Sequence, residues 1–460
     1  MAIAERSIWF GIDRTMIIKM YKKSKYNILI RDEDKNLVIG NTLTGTVHKY
    51  ASSIAAQIVS HLKKEVFDDA DLISKTLIKD GILVKEDLNE DQMAEFYFNK
   101  LNFGDQALNL IVVPTDACNM RCIYCYEPHI EHYMNDENVC SLIKFLKKKM
   151  RTATFVHISW FGGEPLLRPD IIYTVMEQVQ RLGKLYKIPI SASATTNGVL
   201  LSPVVFDHLY ECGVRSYQIT IDGFKEHHNQ SRPMVDGSDS FSIIESNLKN
   251  ILRSDKKVVV FLRYNMTAED IDRSYSFIDY LKETYFHDNR FLMNIYNVRN
   301  WGGESVQQLS LASYSALGKV MKYAIKQGIN PVGAPTIAYD DLRCELAPIN
   351  SFYINWDLSV HKCYSTIYNE DSCIGHIGTI NSSGVLKLDE EKMALWSVPP
   401  QCAEKCLKCP FYAACMSFSC PYEYKIRQNK ECHDFQTFII YKIRFVGQMT
   451  EAKTIKECQI

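Results

Sequence analysis

Residues 109–115 read NLIVVPT, and residues 118–125, just after them, read CNMRCIYC. The first stretch is a short run of apolar and β-branched residues, which is typical of a strand buried on both faces. The second places three cysteines at intervals of four and three residues, so that three thiols share one tight loop. The sequence therefore predicts a buried strand that delivers a cysteine-rich loop to one edge of a sheet.

Similar strand candidates recur along the next part of the chain, each followed by about 10 to 20 residues with helical spacing of apolar positions. They are residues 155–161, 190–196, 216–222, 257–264 and 291–298. Repeated strand–helix units predict parallel strands with helices outside. Six units are too few for a closed eight-stranded barrel, so we expect an α/β fold with a partial (β/α)6 barrel. Ligands of such sheets gather at the carboxyl ends of the strands.

Composition and charge exclude several classes of protein. The chain has 460 residues, and 53 Lys and Arg against 54 Asp and Glu give a formal net charge of −1. A nucleic-acid partner is not expected, because phosphate binding needs a basic surface. No apolar run approaches the roughly 20 residues that span a bilayer, and the first residues lack the pattern of a signal peptide. We expect a cytoplasmic protein with no membrane partner.

The first hundred residues contain no cysteine and are expected to form a separate unit. Residues 26–50 alternate apolar and polar positions around a turn-rich DEDKN, which predicts a hairpin. Two segments with helical spacing follow, with an N-cap at Asp69 or Asp71. Strands followed by short helices are the order of a winged helix. The polar residues 86–106 are interpreted as a linker.

The region after the barrel has little periodic pattern until FQTFIIYKIRFVGQM, residues 435–449, which predicts a final helix. A long segment without a periodic core needs another cross-link, and bound metal clusters would supply it. The predicted domains are a winged-helix-like domain at 1–104, the partial barrel at 105–330, a cysteine-rich domain at 331–440 and a helical tail at 441–460.

Fifteen cysteines are too many for a cytosolic chain of this length unless they bind metal, because disulfide frameworks belong to small secreted domains. Three cysteines can hold three irons of a [4Fe–4S] cluster and leave the fourth iron for an exogenous ligand, since a fully ligated cluster uses four. The alternatives for the first loop are an incomplete zinc knuckle or packed core thiols.

The pattern CxxxCxΦC, with Tyr124 as the aromatic Φ, resembles the signature of the radical S-adenosylmethionine (SAM) enzymes. Further segments that resemble the family follow at the ends of later strands. They are Gly162-Gly163-Glu164-Pro165, Thr196-Asn197-Gly198, Thr220-Ile221-Asp222-Gly223 and Arg263. The resemblance implies that Cys118, Cys122 and Cys125 are the catalytic residues that hold a SAM-binding [4Fe–4S] cluster.

The same resemblance implies which residues contact SAM. The segment containing Gly162, Gly163 and Glu164 is implied to bind the methionyl amino group, and Thr220 and Arg263 to approach the methionyl carboxylate. Tyr124 and Asn197 complete the implied set. From the residues alone, Asn197-Gly198 is equally a simple turn, and Arg263 is equally a member of a surface ion pair.

The C-terminal cysteines resemble the SPASM domain, which holds two auxiliary [4Fe–4S] clusters. The resemblance implies a distal cluster on Cys406, Cys409, Cys415 and Cys432, and a nearer one on Cys344, Cys363 and Cys420. The fourth ligand usual after the Cys344 position is absent here, so either the near cluster keeps an open iron or Cys373 or Cys402 takes its place. Zinc is the alternative for the Cys406–Cys409 pair.

Two smaller features complete the sequence predictions. Cys140 and Cys212 lie in helical patterns and are expected to be core thiols. His227, His228 and Arg232 follow Asp222 in a polar stretch that is interpreted as a solvated loop.

A small leading domain, a radical SAM barrel and a SPASM domain together resemble peptide maturases of the thioether-forming sactipeptide and ranthipeptide types. This implies three [4Fe–4S] clusters, SAM, a cysteine-containing precursor peptide and an electron donor such as flavodoxin or ferredoxin. The leader peptide would add a strand to a sheet edge within residues 26–50. The alternatives are an anaerobic sulfatase-maturing enzyme that forms formylglycine, and a non-catalytic metal-bearing peptide-binding scaffold.

Overall fold

The computed structural model describes residues 19–104, 106–301, 305–329, 337–369, 372–379, 381–398, 404–416 and 432–454. Its strands are β1 Tyr21–Lys23, β2 Asn27–Arg31, β3 Leu37–Asn41, β4 Val47–Tyr50, β5 Leu83–Lys85, β6 Leu108–Val112, β7 Val156–Trp160, β8 Ile190–Thr196, β9 Ser216–Thr220, β10 Val259–Met266, β11 Phe291–Asn297, β12 Ser351–Ile354, β13 Ser359–His361, β14 Gly375–Ile377 and β15 Leu386–Leu388. Its helices are α1 Ser52–His61, α2 Leu72–Lys79, α3 Glu90–Phe103, α4 Asp136–Lys149, α5 Pro169–Tyr186, α6 Pro203–Glu211, α7 Lys225–Ser231, α8 Ser240–Arg253, α9 Ile271–Thr284, α10 Tyr314–Lys326, α11 Tyr339–Leu342, α12 Glu390–Ser397, α13 Glu404–Leu407, α14 Tyr412–Cys415 and α15 His433–Met449. None of these described helices is long and apolar enough to cross a membrane.

The six predicted barrel strands are confirmed as β6 to β11, which lie side by side in chain order and pair in parallel. Their outward side chains, such as Leu110, Ile158 and Leu262, are fully buried beneath the surrounding helices. Successive side chains of a strand point to opposite faces, so neighbouring residues such as Ile111 line the inner face. The α/β fold with a partial barrel is therefore confirmed.

The parallel sheet extends past the first barrel strand, into the cysteine-rich region. β12 pairs in parallel with β6, and β13, β14 and β15 continue the sheet as antiparallel strands. All four residues of β12 are buried. The cysteine-rich region is thus anchored to the barrel by backbone hydrogen bonds, which the sequence did not predict.

The predicted N-terminal hairpin is confirmed by β2 and β3, which pair as antiparallel strands around a turn closed by Asp32 and Asn36. β4 extends this sheet on the far side of β3. The predicted cap of α2 is Asp71, whose carboxylate accepts the backbone N–H of Ser74 over 2.9 Å.

The interpretation of residues 86–106 as a linker is wrong, because most of them form α3, which is capped by the Asn89 side chain. The helix buries Ala94 and Phe98 against Tyr26 and against Ala413 and Met416 near the C-terminus. Its apolar face is narrow, and its partners Ala413 and Met416 lie more than 300 positions away in sequence. Local pattern therefore could not distinguish this helix from a polar connection.

The predicted final helix is confirmed as α15, and it lies against the N-terminal sheet. Ile439 and Ile443 of α15 pack with Ile28 and Val38 on one face of that sheet. The opposite face packs against α1 and α2 through residues such as Ile39. The two ends of the chain therefore share one buried layer.

Candidate active site

The loop after β6 carries Cys118, Cys122 and Cys125, and its backbone is held by the residues that follow α7. The N–H groups of Arg121 and Ile123 donate to the carbonyls of Pro233 and Ser231 over 2.9 and 3.0 Å. Val235 N–H in turn donates to the Asn119 carbonyl over 3.0 Å. This pairing fixes the cysteine loop at the carboxyl end of the barrel strands, as predicted.

The three thiols of this loop are partly buried and close enough to perturb one another. Burial raises the pKa of Cys118 to about 12, with a further contribution from Glu164. Burial also raises the pKa of Cys122 and of Cys125, and Arg232 opposes that rise at Cys122. A cation is needed to hold three thiolates in such a place, so the donor set fits a metal cluster.

Gly162 and Gly163 allow two backbones to meet. A Cβ on Gly163 would lie 2.2 Å from the Ala117 carbonyl oxygen, and one on Gly162 would lie 2.4 Å from that of Thr115. Gly162 also has a φ of +125°, which strongly favours glycine. The absence of side chains at these glycines thus lets the end of β7 pack against the residues immediately before Cys118. The motif alone did not show this role.

Glu164 is completely buried, and its carboxylate joins two backbone segments through three hydrogen bonds. Its Oε1 accepts the Thr196 hydroxyl over 2.7 Å and the Leu166 N–H over 2.9 Å, and its Oε2 accepts the Asn197 N–H over 2.7 Å. Burial raises the pKa of this carboxyl, and the three hydrogen bonds oppose the rise. Within the described residues, the carboxylate joins the ends of β7 and β8.

Asn197 does more than form a turn. Its Nδ2 donates to Asn119 Oδ1 over 2.7 Å and lies 4.0 Å from Cys118 Sγ. Its Oδ1 accepts the N–H of Val199 within the turn. The end of β8 is therefore hydrogen-bonded directly to the cysteine loop.

Tyr124 anchors the loop to the far side of the barrel through its hydroxyl group. That hydroxyl donates to Asp222 Oδ2 and accepts from Arg232 Nη1 over 2.6 Å and from Asn265 Nδ2 over 3.0 Å. Asp222 and Arg232 are 1% and 6% exposed, and Arg232 Nε has no hydrogen-bond partner in the described part of the chain. This network links the loop to β9, α7 and β10.

The interpretation of His227, His228 and Arg232 as a solvated loop is wrong, because the segment forms α7 and its end. His228 is fully buried, and its Nδ1 accepts the N–H of Asp222 over 3.0 Å. His227 Nε2 lies 2.9 Å from the buried Asp270 carboxylate. Polar residues after a strand predict a solvent-exposed loop. The burial of this segment depends on the neighbouring strands, which the local sequence does not indicate.

Thr220 and Arg263 lie directly opposite each other in the β9–β10 ladder. The Arg263 guanidinium lies 4.3 Å from the centre of the Tyr296 ring, and its Nε donates to Asn265 Oδ1 over 2.8 Å. It has no ion-pair partner among the residues that the structure describes. The alternative of a surface ion pair is thus not what the structure shows.

Cys344 packs beside the inner face of the barrel, in one cluster with Tyr364, Ile111 and Tyr353. Cys363 packs against the main hydrophobic core. Burial raises the pKa of Tyr126 well above its ordinary value, with smaller contributions from neighbours that include Glu127, Cys125 and Cys363. Tyr126 therefore lies near both Cys363 and the cysteine loop.

Cys406, Cys409 and Cys432 also converge. Burial raises the pKa of Cys409, and Cys432 and Cys406 add to that rise. Cys415 ends the short α14, which packs on the N-terminal domain through Ala413. Cys420 and Cys402 lie outside the described residues.

The remaining cysteines differ from one another. The prediction of a core thiol is confirmed for Cys212, which is buried, and is wrong for Cys140, which is exposed on α4. The Cys373 Sγ donates to the Gly375 carbonyl oxygen over 3.2 Å.

Comparison with known proteins gives matches centred on the barrel. Residues 112–281 match the model of the Radical SAM superfamily. A GTP 3',8-cyclase from Clostridium acetobutylicum is 33% identical over 147 residues, covering 30% of this chain and 43% of that protein. The radical SAM cyclopropyl synthase TigE from Paramaledivibacter caminithermalis is 24% identical over 271 residues, covering 52% of this chain and 56% of TigE. The chain thus spans about half the length of these relatives.

A solved structure has a similar fold. It is native anSMEcpe with bound AdoMet and Cp18Cys peptide, with a TM-score of 0.55 and 20% sequence identity. The match covers 75% of this chain and 99% of that one. The agreement extends beyond residues 112–281, so the shared fold includes more than the barrel.

Proposed function

Because residues 112–281 of this chain form a radical SAM domain, we propose that the protein cleaves SAM reductively and installs thioether cross-links in a cysteine-containing, ribosomally made peptide. One observation carries the first half of this proposal. Three thiols share a loop whose backbone and Tyr124 side chain are fastened to the carboxyl ends of four barrel strands. The matches to relatives cover only part of the chain, so the proposed activity is inferred from the residues of the site.

In this proposal Cys118, Cys122 and Cys125 hold a [4Fe–4S] cluster through three of its irons. The fit rests on the three convergent, partly buried thiols and on the cation Arg232 beside Cys122. When bound and reduced, the cluster and SAM supply a carbon radical that abstracts hydrogen from an unactivated C–H bond. The chain itself must orient SAM and exclude water.

Thr220 and Arg263 are proposed to orient the methionyl carboxylate. They lie side by side at the end of the β9–β10 pair, and the guanidinium of Arg263 retains donors that no described carboxylate occupies. Arginine matches carboxylate geometry with two parallel hydrogen bonds. The segment of Gly162, Gly163 and Glu164 at the end of β7 is proposed to bind the methionyl amino group.

The C-terminal cysteines are proposed to hold two auxiliary clusters, as in a SPASM domain. Cys406, Cys409, Cys415 and Cys432 would hold the distal one, and Cys344, Cys363 and Cys420 the near one. Three protein ligands would leave a place for a thiolate of the substrate, whose pKa a metal lowers. The hydrogen bond of Cys373 to Gly375 supports leaving Cys373 out of that set.

The region around Tyr126, which lies near both Cys125 and Cys363, is the proposed place of reaction. Val113, Phe161 and Tyr353 form a hydrophobic cluster with Cys344, and we propose that this cluster excludes water from the reactive radical. Closing a thioether removes two hydrogens from the peptide: one as a hydrogen atom from carbon, and one as the thiol proton. The remaining electron passes to a redox partner of the protein, for which a flavodoxin or ferredoxin is our candidate.

The leader of the peptide is proposed to add a strand beside β2. The other edge of that sheet, β4, is already covered, because the N–H of Lys453 donates to the Lys49 carbonyl and its own carbonyl accepts the Ala51 N–H, each over 2.9 Å. Within the described residues, β2 pairs on one side only. Added peptide should therefore slow amide exchange in β2 and leave β4 unchanged.

The test begins with anaerobic protein, SAM and dithionite. We expect deoxyadenosine release from the wild type and none from Cys122→Ala, which should keep the absorption of the auxiliary clusters. Three [4Fe–4S] clusters predict about 12 iron atoms per chain, with almost no zinc bound in place of that iron. Normal SAM cleavage by Cys122→Ala would overturn the assignment of Cys118, Cys122 and Cys125 to the SAM-binding cluster. Absence of iron would favour the alternative of a non-catalytic peptide-binding scaffold.

Mass spectrometry of a candidate cysteine-containing peptide distinguishes the enzymatic alternatives. Thioether formation removes two hydrogens for each cross-link and protects that cysteine from alkylation. Formylglycine formation instead converts the cysteine to an aldehyde, which a hydrazide captures. An aldehyde without a cross-link would replace our proposal with the sulfatase-maturing alternative, which also fits a fold shared with anSMEcpe.

A further inference from the structure

Three potential metal ligands converge on the outer helices, away from every cysteine placed above at an iron–sulfur cluster. Glu177 of α5, His208 of α6 and Cys212 at the end of α6 each offer one ligand atom, and all three atoms lie within 4.8 Å of one another. Cys212 precedes β9 by only a few residues, so the group lies near the amino ends of the strands. The cysteine loop lies at their carboxyl ends.

Local sequence accounts for this convergence. His208 and Cys212 are four positions apart, which brings both side chains to one face of α6, and the Cys212 N–H donates to the His208 carbonyl over 3.0 Å. Tyr173 and Glu177 have the same spacing on α5. The His208 ring stacks on the Tyr173 ring at a centroid distance of 3.6 Å, which fixes the imidazole beside Glu177.

Ordinary pairing does not explain the group. In the described part of the chain, the side chains of Glu177, His208 and Cys212 make no hydrogen bond or ion pair. Zn–S and Zn–N bonds are about 2.3 and 2.0 Å long, so the ligands of a tetrahedral zinc lie roughly 3.5 Å apart. The three ligand atoms must approach one another to reach that distance, and Glu177 is exposed, so its side chain has room to move.

The charges nearby also favour a cation. The carboxylates of Glu177 and Glu211 lie close enough to the Cys212 thiol to interact with its charge. The carboxylates that disfavour a bare thiolate attract a divalent ion, and the ion displaces the thiol proton on binding.

We propose that Glu177, His208 and Cys212 form a binding site for a divalent transition metal, with zinc as its preferred ion. One sulfur, one imidazole nitrogen and one carboxylate oxygen are zinc ligands, whereas magnesium and calcium prefer oxygen alone. The fourth position lies on the exposed side, beside Glu177, and is taken by water. The ion would join α5 to α6 and so stabilise the outer layer of the barrel.

The experiment uses the iron-loaded full chain, incubated anaerobically with zinc chloride and then desalted. We expect about one zinc per chain in the wild type and in Cys140→Ser, the matched control with an exposed cysteine. Cys212→Ser and His208→Gln should each lose most of that zinc. Zinc K-edge spectroscopy should show a shell with one sulfur and three lighter atoms.

Equal zinc in the wild type, His208→Gln and Cys212→Ser would overturn the proposal, as would a shell with several sulfurs, which indicates zinc in an iron site. Cys212 is buried, so loss of zinc by Cys212→Ser does not by itself separate a lost ligand from a folding defect. His208→Gln is the second variant that makes this distinction. Zinc should raise the melting temperature of the wild type and not that of His208→Gln. Iron content and deoxyadenosine release should stay unchanged in both, so this test is independent of the proposed activity.

Discussion

The backbone N–H of Asn197, at the end of β8, donates to the carboxylate of Glu164, just after β7, over 2.7 Å. Asn197 also donates from its side chain to Asn119 inside the cysteine loop. The order of the cysteine loop therefore depends on a buried carboxylate at the end of the neighbouring strand, β7. Motif residues that follow one another along the sequence therefore form one hydrogen-bonded network in the folded chain.

Glu164→Gln tests this network with little change of volume. The amide keeps one acceptor but cannot accept all three hydrogen bonds, so the ends of β7 and β8 should separate. Loss of an outer-shell partner of this kind costs about 10–100-fold in metal affinity or activity. Deoxyadenosine release should fall by that factor, with unchanged auxiliary-cluster iron. Wild-type activity in Glu164→Gln would show that the network is dispensable.

Gly163→Ala tests the contact between the two backbones. The new Cβ would lie 2.2 Å from the Ala117 carbonyl oxygen, so the cysteine loop must move. We expect a loss of about 1–3 kcal/mol in stability and a larger loss of SAM binding, measured by calorimetry on the anaerobic protein. Gly81→Ala, in the turn between α2 and β5, is the control: no atom lies within 4 Å of its added Cβ, and its φ of +72° costs stability without any contact to the cysteine loop. Equal SAM affinity in the two variants would contradict the prediction.

Arg232→Gln removes a buried cation beside Cys122 and the hydrogen bond to the Tyr124 hydroxyl. A positive charge favours the reduced, more negative cluster, so its loss should lower the reduction potential. The measurement is a redox titration followed by electron paramagnetic resonance. Arg232→Lys keeps the charge, so its reduction potential should lie close to that of the wild type. Equal reduction potentials in Arg232→Gln and the wild type would exclude this electrostatic role.

His228 should make the stability of the barrel depend on pH. Burial lowers the pKa of His228 well below 6.5, and Arg232 and His227 lower it further while Asp239 opposes them. The unfolded chain therefore binds a proton that the folded chain excludes, so stability is full above pH 6.5 and falls as pH decreases below it. The slope contributed is at most about 1.4 kcal/mol per pH unit. His228→Gln should lose that part of the slope in melting experiments between pH 7.5 and 5.8.

Cys409→Ala should disturb both ends of the chain. The segment around Cys409 packs on α3 through Ala413 and Met416, so loss of the proposed distal cluster should loosen the contact with α3 as well. We expect about four fewer irons per chain and faster proteolysis of both segments. Cys140→Ala, at an exposed cysteine, is the control. Unchanged iron and proteolytic resistance would contradict the prediction.

The sequence alone determined the barrel strands and the loop of Cys118, Cys122 and Cys125. Both are local features: a buried strand needs one continuous apolar run, and ligand spacing is fixed within a few residues. The final helix and the capped α2 were predicted for the same reason.

Only the tertiary structure decided which partners these elements meet. It placed α3 under the C-terminal segment, buried His228 and Arg232, set Gly163 against Ala117 and joined β12 to β6. It also brought Glu177 of one helix beside His208 and Cys212 of another. Each of these depends on contacts between residues far apart in the chain, and the energy of such contacts comes from burial and geometry that no local pattern records.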